Sequence, residues 1–337
     1  MKAPVVVKLG SSLVADARGR PRRRALRAVA DELAELDVPV CVVSSGAIAL
    51  GLPRLGLDRR PRSVSKLQAA SALGQARLQA LWDAELGRAG VPAAQVLLTA
   101  GDIADRKAYV NARGALGALL RLGVVPVVNE NDATATDEIS FGDNDALAAQ
   151  VAVLVRARLL VLVTSVEGVL TELGGELIAD GAAARGAVFG AGSAAGSGGM
   201  ESKVRAAELA AAAGIPTVIG AADALGAILR GEQRGTRFAP SRTGEPAFKL
   251  WLRYGKQISG RVHVDDGARR AVAGEGRSLL AVGVTGWDGE FRAGDGVELV
   301  GPDGAAFARG IASVDAAELA GRPANVEAVH RDRLVLL

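Results

Sequence analysis

The sequence predicts an α/β fold: a doubly wound, mainly parallel sheet, followed by a small β-barrel-like domain. Three observations predict it. Short apolar runs rich in β-branched residues recur between longer Ala/Leu/Arg segments. Those runs are continuous rather than alternating, as befits strands covered on both faces of a parallel sheet. Near residue 231 the pattern changes to short pieces separated by Gly-containing turns, which suits a compact β unit. A chain of 337 residues is long enough for two such domains.

The first strand is "APVVVKL" (3–9), and "RRRALRAVADELAEL" follows with helical spacing. "VPVCVV" (38–43), "AQVLLT" (94–99), "GVVPVV" (123–128), "RLLVLVT" (158–164) and "IPTVI" (215–219) supply the next strands. Between them "SKLQAASALGQARLQALWDAEL", "RKAYVNARGALGALLRL", "DALAAQVAVLV" and "MESKVRAAELAAAAG" read as helices, so βα units repeat along the chain. "RGEQRGTRFAPSRTGEP", rich in Gly, Pro, Arg and Ser, reads as a linker. The expected boundaries are residues 1–235 for the α/β domain, 236–247 for the linker and 248–337 for the β unit.

Composition narrows the chemistry. An apolar fraction of 49% with 23% charged residues describes a chain with a real core. The net charge of +3 is spread among interspersed acids and bases, and "RGRPRRR" (18–24) is the one long basic run, so nucleic-acid binding is not demanded. Cys41 is a single cysteine in an apolar run and builds neither a disulfide nor a cysteine metal site. The two histidines, His263 and His330, come too late for a Ser-His-Asp triad or His-rich metal site in the first 260 residues. The longest apolar stretch, 147–163, is broken by Gln150, Arg156 and Arg158 before it spans a bilayer. The chain reads as soluble and cytoplasmic.

Seven lysines stand against 33 arginines, and two of the seven are oddly placed. Lys8 follows three valines and falls at the carboxyl edge of a strand, where open α/β sheets bind ligands. Gly10 and the serines after it can turn tightly and offer N–H groups to an anion. A lysine snorkelling from a strand end would look the same. Lys203 closes "GSGGMESK" (196–203), in which glycines allow a phosphate close and a helix starting near Met200 would aim its positive end at it. A mobile loop is the other reading. Neither a P-loop nor a G-x-G-x-x-G fingerprint is present. "SSGAIALG" (44–51) opens a helix after a strand, with Ser44 or Ser45 as cap and Gly46 permitting close approach of an anion. "NENDATATDEISFGDNDALAAQ" (129–150) packs Asn129, Asn131, Asp132, Asp137, Asp143, Asn144 and Asp145 into 17 residues at a strand's carboxyl end. Part of that cluster can cap the following helix. It equally suits a substrate amine, the lysines, or Mg²⁺, which oxygen ligands favour over zinc.

Cations and helix N-termini for a polyphosphate, beside an Asn/Asp cluster for a small polar substrate, supply what phosphoryl transfer needs. A carboxylate acceptor, with a reference pKa of about 4.3, is already ionised at neutral pH and needs no general base. That fits a region without histidine.

The motifs "VVVKLGSS", "VVSSGAIALG", "SKLQAASALGQARLQALW", "LLTAGDIADRKAYVNAR", "VVPVVNENDATATDEISFGDND" and "GSGGMESKV" resemble, in order, the signature of the glutamate 5-kinase family, a branch of the amino acid kinases. The C-terminal part resembles a PUA domain through "GRVHVDDGARRAV", "SLLAVGVTGWDGEFRAGDGVEL" and "ARGIAS". The resemblance implies an amino acid kinase fold and transfer of the ATP γ-phosphoryl group to the side-chain carboxylate of L-glutamate, the first step of proline synthesis, with Mg²⁺. It implies Lys8, Lys203 and Asp145 as catalytic, with Asp145 holding both lysines. It implies Ser45, Gly46, Asn129, Asp132, Asp143 and Asn144 at the glutamate site. Lys8, Gly10, Thr164, Ser165, Ser197, Gly198, Gly199, Met200, Glu201, Ser202 and Lys203 belong with the nucleotide. A homo-oligomer, proline as feedback inhibitor and glutamyl-phosphate reductase as partner are implied in the same way.

One stretch departs from the family pattern. "VTSVEGVLTELGGELI" (163–178) has Ser165 where an Asp is usual and lacks the "GLYTADPR"-like continuation, which puts contacts to the base in doubt. Two other readings remain. A related kinase would act on aspartate, N-acetylglutamate, carbamate or UMP. An RNA-binding protein would act through the PUA domain, although Asp265, Asp266, Asp288, Glu290, Asp295 and Glu298 are a poor footprint for a phosphate backbone.

Overall fold

The computed structural model describes residues 2–134, 144–172, 175–186, 199–241, 247–254, 256, 258–321, 323 and 325–337. The chain divides into two compact units, Met1–Gly244 and Glu245–Leu337.

In the first unit β1 (Val5–Leu9) leads through α1 (Ser11–Val14) and α2 (Arg23–Ala34) to β2 (Val40–Ser44). Then come α3 (Ala47–Gly51), the long α4 (Val64–Arg88), β3 (Ala93–Leu98), α5 (Ala100–Ala104), α6 (Arg106–Arg121) and β4 (Val125–Glu130). The second half runs α7 (Asn144–Leu154), β5 (Leu159–Thr164), α8 (Met200–Ala212), β6 (Thr217–Ala221), α9 (Leu225–Leu229) and β7 (Thr236–Phe238). The strands form one sheet in the order β3-β4-β2-β1-β5-β6-β7, parallel except for β7. After β1 the chain builds β2, β3 and β4 to one side, then crosses to the other with β5 and β6. The carboxyl ends of β1 and β5 therefore flank the switch point, where such folds hold ligands.

β1, β2 and β5 are apolar along almost their whole length because helices cover both faces. Val5, Val7, Leu9, Val40 and Val42 face one layer with Leu26, Val29 and Leu33 of α2 and Leu78, Trp82 and Leu86 of α4. Lys8, between Val7 and Leu9, points to the opposite layer. α3 lies unusually close to α4. A Cβ on Gly51 would fall 1.8 Å from the Ala70 carbonyl oxygen, and one on Gly74 1.8 Å from that of Ala47. Only glycine permits that approach, and it fixes the polar face of α4 beside the β2–α3 turn.

Two expectations are corrected. β3 is only half-buried rather than a doubly covered strand, because it is the sheet's edge. Residues 236–238, read as the start of a linker, form β7, with Thr217↔Phe238 and Ile219↔Thr236 paired. Thr236 Oγ1 accepts from Val169 N at 2.8 Å and donates to the Ile178 carbonyl at 2.6 Å, so this strand pins the backbone at Val169 and Ile178.

The second unit holds α10 (Ala247–Tyr254), β8 (Ile258–Val264), α11 (Asp266–Ala273), β9 (Leu279–Leu280), β10 (Val284–Asp288), β11 (Gly296–Val300), β12 (Ala306–Ala312) and β13 (Glu327–Leu336). Its sheet runs β10-β8-β11-β12-β13-β9 around a core of Val262, Val264, Phe291, Val297, Leu299 and Val329. The β-rich reading holds. β13, the longest strand of the unit, was not singled out from the sequence, because "HRDR" puts charged and polar residues in mid-strand.

Candidate active site

Lys8 is the fourth residue of β1, in register with Val43 of β2 and Leu162 of β5, and only 3% exposed. An ammonium group so deeply buried in a sheet needs a counter-charge. Asp145, on the first turn of α7 and 0% exposed, supplies it: Lys8 Nζ lies 2.7 Å from Asp145 Oδ1. Lys203, 8% exposed on the first turn of α8, reaches the other oxygen, with Nζ 3.2 Å from Oδ2. Ser202 Oγ donates to the same Oδ2 at 2.6 Å. Burial pushes the Asp145 carboxyl up. The Lys8 and Lys203 charges, with hydrogen bonds from Lys8 and Ser202, outweigh it and hold the group down at about 2. One carboxylate thus joins two cations from different parts of the chain at the switch point.

α8 starts from Gly199, in extended conformation, and no side chain caps it. Its first N–H groups are therefore not spent on a capping residue. Ser197 and Gly198 lie outside the described residues, as do Asp137 and Asp143; Gly199, Met200, Glu201, Ser202 and Lys203 form the helix start. Gly10 precedes α1, and a Cβ added there would come 3.9 Å from Lys8 Nζ. Thr164 ends β5 half-buried, and Ser165 follows it exposed.

A second polar group gathers at the carboxyl ends of β2 and β4. Neither Ser44 nor Ser45 caps α3, contrary to expectation; the cap is Gly46, whose φ of 114° only glycine adopts easily. A Cβ there would also strike Val14. Ser44 is instead occupied behind the site, accepting from Trp82 Nε1 at 2.9 Å. Ser45 Oγ accepts from Asn144 Nδ2 at 3.0 Å, which leaves Asn144 Oδ1 buried without a partner among the described residues. Asn129, at the end of β4, donates to Gln75 Oε1 at 2.7 Å. Asp132 accepts from Ser71 Oγ at 2.5 Å through Oδ2, while its Oδ1 is buried without a partner among the described residues.

Ser71 and Gln75 escaped the sequence reading, though a signal existed. They stand one turn apart among the buried positions 67, 70, 71, 74, 75 and 78 of α4, where apolar residues would be the default. Ser202 reads in sequence only as part of the glycine-rich segment, and its contact with Asp145 leaves no local pattern.

The amino acid kinase family profile matches residues 3–221, and that of the PUA domain matches residues 260–325. The chain is 44% identical over 360 residues to a glutamate 5-kinase of Frankia casuarinae, covering 99% of this chain and 96% of that protein. It is 42% identical over 362 residues to a glutamate 5-kinase of Stutzerimonas stutzeri, covering 98% and 97%. No helix among the described residues is long and apolar enough to cross a membrane.

Proposed function

The chain belongs to the amino acid kinase family, within its glutamate 5-kinase branch, and from that premise we propose that it transfers the γ-phosphoryl group of ATP to the side-chain carboxylate of L-glutamate, the first step of proline biosynthesis. The observation that carries this reading is the Lys8–Asp145–Lys203 cluster at the switch point of the sheet. In the reaction a glutamate carboxylate oxygen bonds to the γ-phosphorus while the bridging bond to ADP breaks. Negative charge spreads over the transferred oxygens, so fixed cations lower the barrier without any proton transfer.

Lys8 and Lys203 contact the phosphates in this scheme, and Asp145 keeps both ammonium groups aimed. The uncapped start of α8, from Gly199 to Lys203, receives phosphate oxygens on its N–H groups. Gly10, Thr164, Ser165, Ser197 and Gly198 complete the nucleotide side. Ser45, Gly46, Asn129, Asp132, Asp143 and Asn144 take glutamate, the two buried acceptors on Asp132 and Asn144 suiting its ammonium group. Mg²⁺ arrives with ATP as part of the substrate. Among the described residues no group of three or more His, Cys, Asp or Glu side chains comes together to hold it apart from the nucleotide. Proline inhibition, homo-oligomerisation and hand-over of the acyl phosphate to glutamyl-phosphate reductase enter the proposal from the family resemblance.

The test is ADP release from MgATP with a panel of acids. ADP that appears with glutamate and not with aspartate or N-acetylglutamate supports the reading; a preference for another acid would keep the phosphate side and overturn the substrate.

A further inference from the structure

We propose that Ser71 is a positioning residue for the amino-acid substrate, orienting the Asp132 carboxylate so that one of its oxygens is kept for the substrate's ammonium group. This rests on the reading of Asp132 as a glutamate ligand. Asp132 lies two residues past β4 and is 5% exposed. The Ser71 hydroxyl, itself buried on α4, engages Oδ2 at 2.5 Å. That bond leaves Oδ1 buried and unmatched among the described residues, a costly arrangement unless a ligand completes it. Asn144 Oδ1, at the same carboxyl edge, is a second such acceptor, its Nδ2 being spent on Ser45. Two buried acceptors, one of them a carboxylate, call for a cationic donor with several hydrogens, which a primary ammonium is.

The arrangement works only if Asp132 stays ionised, because a protonated carboxyl carries no charge to pair with the ammonium. Burial raises its pKa; the Ser71 hydrogen bond and the Arg60 charge pull it back down. Among the described residues, Ser71 from α4 and Arg60 from the exposed loop before α4 are the groups that oppose burial there. Gly74 seats this helix against α3, so the hydroxyl is held by the backbone and not by a mobile loop. Ser71 is not required to touch the substrate, so the expected signature is in glutamate affinity and its pH dependence, not in the phosphoryl-transfer step.

The experiment is steady-state kinetics with glutamate across mildly acid to mildly alkaline pH, on the full chain, for the wild type, Ser71→Ala, Ser71→Thr, Arg60→Gln and Asp132→Asn. Ser71→Ala should raise the glutamate KM about tenfold, the order expected for a hydrogen bond to a charged group, with kcat and the ATP KM little changed. The acid limb of kcat/KM should move to higher pH, since Asp132 then takes up a proton sooner. Ser71→Thr, which keeps the hydroxyl, should restore both. Arg60→Gln should move the limb in the same direction by less, and added salt should erase that difference because Arg60 is exposed. Being on the surface, it tests the proposal even if Ser71→Ala fails to fold. An unmoved KM and acid limb in folded Ser71→Ala, or equal losses in kcat and both KM values, would overturn it. Asp132→Asn separates the two layers: if that variant binds glutamate normally, the assignment of Asp132 is wrong and this proposal falls with it. If the wild type ignores glutamate altogether, the functional reading itself is at fault.

Discussion

Replacing Asp145 by asparagine keeps the shape of the side chain and removes the charge shared by Lys8, at 2.7 Å, and Lys203, at 3.2 Å. The carboxyl titrates at about 2 instead of 3.8. A depressed pKa stabilises the fold at every pH above 3.8, and that contribution is lost only as pH falls from there towards 2. A gap of that order corresponds to ~2–3 kcal/mol. The mutation leaves two buried ammonium groups without the carboxylate between them, and breaking such buried pairs costs about 3–5 kcal/mol. For a unit of this size that is a drop in melting temperature of about 10 °C. If, as proposed, ATP brings negative charge to the same two lysines, the nucleotide should raise the melting temperature more in Asp145→Asn than in the wild type. Turnover should fall about a hundredfold through misplaced lysines. Calorimetry with and without MgATP, beside a kinase assay, reads all three. A variant that melts within about 2 °C of the wild type and turns over normally would refute the view that Asp145 organises the site.

Lys203→Ala should lower turnover about a thousandfold while circular dichroism shows the fold intact; unchanged turnover removes Lys203 from the chemistry. Gly74→Ala forces a Cβ to 1.8 Å from the Ala47 carbonyl oxygen and should cost about 3 kcal/mol or more in urea unfolding. Gly87→Ala, in open space on the same helix, should instead gain roughly 0.5–1 kcal/mol. Thr236→Val strips the partner from Val169 N and from the Ile178 carbonyl, and should cost about 1–3 kcal/mol. If the 168–178 stretch borders the nucleotide, that variant should also raise the KM for ATP and leave the KM for glutamate alone. Burial pushes the Cys41 thiol up to about 12, so a thiol reagent at neutral pH should label it only after denaturant unfolds the chain.

The parallel sheet was legible because "PVVVKL", "VPVCVV" and "RLLVLVT" are doubly covered strands, and such strands announce themselves as unbroken apolar runs. β7 was hidden: its three residues sit amid Gly, Pro, Arg and Ser, and an antiparallel edge strand needs little hydrophobicity. The two lysines stood out against an arginine-rich background, yet their meeting on one carboxylate joins residues 8, 145 and 203, and such a long-range link leaves no local pattern. The cap of α3 was misread for a related reason. Ser44 and Ser45 have the composition of caps, but tertiary partners, Trp82 and Asn144, claim their hydroxyls first. Ser71 and Gln75 went unread because a polar residue on a long helix is normally on its solvent face, and here the close α3–α4 contact turns that face inward.

The most direct test of the account is to trap the acyl phosphate with hydroxylamine during incubation with MgATP and glutamate. Glutamyl hydroxamate formed in step with ADP, and abolished by Lys203→Ala, is the predicted result. ADP release from folded enzyme with no hydroxamate from glutamate would mean that the carboxylate is not the acceptor, and would contradict the account at its centre.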